Sequence, residues 1–89
     1  MNKILVSLSS ISMDLERVAM GYQRGSVVVA NRFLKEALTR RNEIDENQVK
    51  PNIKKLMDAL DGVAKEKNLQ KRAEDALMYS ILFQNAVFK

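Results

Sequence analysis

Eighty-nine residues carrying fifteen lysines and arginines against eleven aspartates and glutamates make a basic chain of net charge +4, long enough for a single domain, 1–89. The absence of cysteine excludes disulfides, thiolate zinc centres and cysteine nucleophiles and suits a cytoplasmic address, and the absence of histidine removes the commonest metal ligand and general base near neutral pH. With 46% hydrophobic and 29% charged residues, three glycines and one proline, the composition is that of a folded, helix-rich domain.

Met1-Asn2-Lys3 followed by Ile4, Leu5, Val6 and Leu8 has the outline of a secretion signal. Ser7, Ser9, Ser10 and Ser12 dilute the apolar stretch, Asp14, Glu16 and Arg17 close it, and no small-residue cleavage site follows, so the segment reads as the start of a helix. Ile4, Leu8, Ile11, Leu15, Val18 and Tyr22 recur at alternating spacings of four and three, the rhythm of a helix packed lengthwise against others. They predict a first helix over about 3–22. Gly25 suits a left-handed helix ending and Ser26 an N-cap, which makes 23–26 a tight turn; a stop at Gly21 would lengthen it slightly.

Ala30, Phe33, Leu34, Ala37, Leu38 and Ile44 form the stripe of a second helix, 26–44, and the Val27, Val28, Val29 cluster is too short to argue for a strand. No period runs through the acidic and amide-rich segment 43–48. Pro51 fits a first helical turn, and Val49, Ile53, Leu56, Met57, Leu60, Val63 and Ala64 give a third helix over about 50–66, with Gly62 weakening its last turn. Asn68 can cap a fourth helix, 69–88, opened by Leu69, Ala73, Ala76 and Leu77. Four helices on short connections predict an all-α, antiparallel up-down four-helix bundle.

The fourth helix is the unusual one. From Leu77 to Phe88 nine of twelve positions are apolar, and at about 100° per residue they spread around the whole circumference. A helix apolar on every side needs protein or lipid on every side, and no apolar run reaches the ~20 residues of a membrane span. A partner chain is therefore expected. The first helix carries a second apolar line, Val6, Met13 and Met20, spaced by seven and nearly opposite its main stripe. The candidate interface is thus Val6, Met13 and Met20 together with Met78, Tyr79, Leu82 and Phe83, with a homodimer, a higher homo-oligomer or a helical partner protein as the expected occupant.

Other features carry less. Arg41 falls inside the second apolar stripe and must snorkel outward or meet a carboxylate, Asp14 and Asp45 being the expected partners. Arg24, Gly25 and Ser26, beside the start of the second helix, form a candidate anion site without the lysine or spacing of a phosphate-binding loop. The basic pairs Arg40-Arg41, Lys54-Lys55 and Lys71-Arg72 fall on different helices and alternate with carboxylates, the pattern of a solvated surface. A basic helical face binding nucleic acid or another anion weakly is the alternative to protein association. The carboxylates lack the Glu-x-x-His pattern of bundle metal sites and no nucleophile stands with a base, so neither metal, cofactor nor enzymatic activity is expected. In size, charge and helix count the chain resembles small basic four-helix proteins such as bacteriocin immunity proteins and secretion chaperones, a likeness of architecture that transfers no function.

Overall fold

A computed structural model describes residues 2–88. They form four α-helices, α1 Lys3–Gln23, α2 Val27–Asn42, α3 Pro51–Lys65 and α4 Leu69–Phe88, with a short 3-10 turn at Glu46–Gln48 and no strand among the described residues. Successive helices run antiparallel. Rising numbers on α1 meet falling numbers on its neighbours, Asp14 bonding Arg40 and Ser12 bonding Ser80 where Tyr22 bonds Arg72. The molecule measures 36 × 22 × 21 Å, about the length of its longest helices.

The core is strung along α1, whose Leu8, Ile11, Leu15 and Val18 have no exposed surface. α2 adds Leu34, α3 adds Ile53, Met57, Leu60 and Val63, and α4 adds Phe83. α1 lies between α2 and α4 and makes its broadest contacts with them, while α2 and α3 touch least among successive helices. Small residues permit that placement: Ala30 and Ala37 of α2 and Ala73 and Ala76 of α4 are all buried. At Gly21 a Cβ would stand 2.8 Å from the Cβ of Ala30, so the helices meet there at a distance only glycine allows. Gly21 is therefore part of a helix contact and not a stop.

The turn closes two residues later. Gly25, at φ 77°, donates its N–H to the Tyr22 carbonyl at 3.1 Å, and Ser26 donates its N–H to the Gly21 carbonyl at 2.8 Å. This is the Schellman arrangement, which requires the left-handed residue that Gly25 supplies. Ser26 holds the N-cap position of α2, but its side chain makes no capping bond. Pro51 is in the first turn of α3 as expected, and the Asn68 side chain accepts the Lys71 N–H at 2.9 Å, capping α4.

The second helix ends at Asn42, two residues short of the expected limit, and Ile44 is buried from the loop beyond it. The 3-10 turn is likewise absent from the sequence reading, because three residues hold no period. The Asp45 carboxylate caps it by accepting the Asn47 N–H at 2.9 Å. Arg41 pairs with neither expected acid. Its guanidinium donates to Asp61 at 2.7 Å and to the Met57 carbonyl at 3.3 Å, because the last turn of α2 faces α3 there. Asp14 lies against Arg40 instead, at 3.0 Å, with Arg17 at 3.3 Å.

Arg72 ties the helices together at one end of the bundle. Its guanidinium donates to the Tyr22 hydroxyl of α1 and the Ala64 carbonyl of α3, each at 2.9 Å, and sits 5.7 Å from the centre of the Tyr22 ring. The Tyr22 hydroxyl in turn bonds Asn31 of α2.

Candidate interaction surface

Because α1 is flanked by α2 and α4, only one strip of it faces outward. Val6, Met13 and Met20 lie on that strip and are 45%, 50% and 39% exposed, as their spacing predicts. α4 divides differently from the expectation. Phe83 is completely buried and is among the largest side chains of the core, so it is unavailable to a partner. Tyr79 is partly buried against that core. The correction has a simple origin: Ala73, Ala76, Ser80 and Phe83 follow one another at spacings of three and four and form the inward stripe.

The remaining large side chains of α4 stay outside. Met78 and Leu82, both expected in the interface, are exposed at 46% and 39%, and Leu77, Ile81 and Phe88 join them. Leu82 borders a groove shared with Leu56 of α3. Phe88 and Gln84 face the other way and, with Ser9, Met13 and Glu16 of α1, line a groove of about 200 Å³ between the two helices. Met13 of the α1 strip thus meets the last turn of α4 across this groove. The Ser12 hydroxyl, donating to the Ser80 carbonyl at 2.7 Å, sets the register of the two antiparallel helices and brings Met13 level with Tyr79, midway between Leu77 and Ile81. The sequence reading omitted Leu77, Ile81 and Phe88. Ile81 is two positions from Phe83 and so about 200° around the helix, a relation that marks it as outward once Phe83 is known to point in.

Charges lie at the edges of this face. Glu16 borders the groove on α1. Arg17, on the α2 side, is held over the Phe33 ring at 5.4 Å and bonded to Asp14. The Asp14 side chain is almost wholly buried, and burial pushes its carboxyl above the ordinary value of 3.8, against the opposing hydrogen bond from Arg40. Five of the six residues in the basic pairs turn to carboxylates or backbone of the chain itself: Arg40 to Asp14, Arg41 to Asp61, Lys54 to Glu46, Lys71 to Asp75 and Arg72 to the Ala64 carbonyl.

Arg24, Gly25 and Ser26 are all exposed at the α1–α2 turn. The amides of Gly25 and Ser26 are spent on α1 carbonyls, which takes two donors from the anion site expected there. Among the described residues no group of three or more acids stands ready for a metal ion, and no helix is long and apolar enough to cross a membrane. Comparison with protein-family models, with curated proteins and with solved structures gives no match.

Proposed function

We propose that this chain is a non-enzymatic helical bundle that works by association, with itself or with another helical protein, through the outer face of α1 and α4. The observation carrying this reading is an inversion of size in α4. Beside Phe83, the side chains pointing into the bundle are the small Ala73, Ala76 and Ser80, while Leu77, Met78, Ile81, Leu82 and Phe88 point out of it. A helix that stabilised only its own monomer would bury its large side chains, each worth roughly 1.5–3 kcal/mol, and expose the small ones. The groove joining Met13 to Phe88 supports the same reading, since contiguous apolar surface on a monomer marks an interaction site. Methionine, flexible and polarizable, suits such a contact.

Sedimentation over a concentration series, with the wild type beside Met13→Lys and Ile81→Lys, tests this. The wild type should associate, and each variant should remain monomeric with its helical circular dichroism intact. A wild type that stays monomeric throughout removes self-association. Variants that unfold would return the face to the core and remove the proposal altogether.

A further inference from the structure

Building on that reading of the face, we infer that its occupant is a second copy of the chain, packed antiparallel about a two-fold axis that passes through the Met13 level, between Leu77 and Ile81. Three observations carry this. The first is the symmetry of the α1 strip: Val6, Met13 and Met20 are equally spaced, so an antiparallel copy sets Val6 on the partner's Met20 and Met13 on the partner's Met13. A two-fold interface demands this self-complementarity, each residue meeting its counterpart across the axis. α4 obeys the same axis. The Ser12–Ser80 bond brings the midpoint between Leu77 and Ile81 level with Met13, so the two-fold sets Leu77 on the partner's Ile81, and both are exposed, 40% and 49%.

The second is charge. A second copy brings another +4, and two such molecules repel unless the contacting surface is free of cations. Around Met13 there is none: Arg17 and Arg24, which line a groove with Met20, stand at the edge toward α2, Arg17 bonded to Asp14, and the two-fold sets the bordering Glu16 beside the partner's Ser9 and not beside its own counterpart. The third is area. Val6, Met13, Met20, Leu77, Ile81 and Phe88, at their exposures, present roughly 600 Å² of accessible surface, given about 150–250 Å² for a large side chain in the open. Ser9, Glu16 and Gln84 between them bring the patch close to the ~800 Å² that each partner contributes to a standard stable interface.

The chain has no cysteine, so single introduced thiols report on the axis without background. Met13→Cys alone, and Leu77→Cys mixed with Ile81→Cys, treated in the full-length protein with a short bifunctional thiol reagent, should form covalent dimers at least about tenfold faster than Val28→Cys, an exposed position off the face. Val6→Cys and Met20→Cys should react slowly alone and rapidly when mixed. A parallel pair would reverse that outcome, with Val6→Cys and Met20→Cys each cross-linking alone, and would overturn the two-fold while leaving association intact. Met13→Lys and Met13→Glu give an independent reading: each alone should be monomeric, and an equimolar mixture should recover the dimer. Failure of that recovery in a wild type that dimerises removes Met13 from the axis. A wild type that sediments as a monomer at every concentration overturns the second copy itself.

Discussion

α3 and α4 lie side by side against the same core and present opposite outer faces. α3 buries Ile53, Met57, Leu60 and Val63 and exposes Lys54, Lys55, Asp58 and Asp61; α4 buries Ala73, Ala76 and Phe83 and exposes Leu77, Met78, Ile81 and Leu82. Both helices complete the core, so the need for a core does not explain the difference. The outer face of α3 is built for water. That of α4 is apolar, which is the ground for the association proposed above, and the contrast shows that the side of a helix left over after folding carries its own information.

The largest effect expected from breaking this contrast is at the inward residue. Phe83→Ala should cost about 3–5 kcal/mol in urea unfolding, a large part of the stability of a small domain, whereas Ile81→Lys two positions away should change monomer stability by less than about 0.5 kcal/mol. Equal losses at both would erase the distinction between the two sides of α4. Next comes Gly21→Ala, which forces a Cβ to within 2.8 Å of Ala30 at the α1–α2 contact and should cost about 1–3 kcal/mol by the same measurement. On the water-facing side of α3 the same substitution should reverse sign. Nothing lies within 4 Å of a Cβ at Gly62, so Gly62→Ala should stabilise the protein by about 0.5–1 kcal/mol.

The subtlest effect is a pH slope. Burial raises the Asp14 carboxyl above 3.8 in the folded chain, so folding favours its protonated form. The corresponding stability is fully present below the unfolded value and is lost as pH rises through the folded one. Urea midpoints taken from neutral pH downward toward 4 should therefore show the wild type gaining on Asp14→Asn. A constant difference between the two would show that the Arg40 contact cancels burial.

Periodicity made most of this fold legible. The helix limits lie within two residues of their expected places because apolar stripes and the signals at Gly25, Pro51 and Asn68 are local. Ile44 and the 3-10 turn escaped because neither continues a helical repeat. The partner of Arg41 escaped for another reason: whether Asp61, Asp14 or Asp45 stands opposite depends on which helices become neighbours. In the candidate interface, the α1 strip was readable because its polar surroundings leave it isolated. The α4 face was blurred by apolar residues on every side. Carrying the stripe forward by seven from Ala73 and Ala76 reaches Ser80 and Phe83, and that step separates the inward phenylalanine from the outward isoleucine.

Arg72 gives the bundle a rivet at one end. A single guanidinium fastens the tail of α1 to the tail of α3 and the start of α4, so those crossings cannot shift without breaking directed bonds. Past the Ser12–Ser80 bond, toward Val6 and Phe88, α1 and α4 are joined mainly by apolar packing, which tolerates sliding because it has no fixed direction. Directed bonds are thus concentrated at one end of the long axis, and under the proposed two-fold each riveted end lies against the apolar-packed end of the other copy.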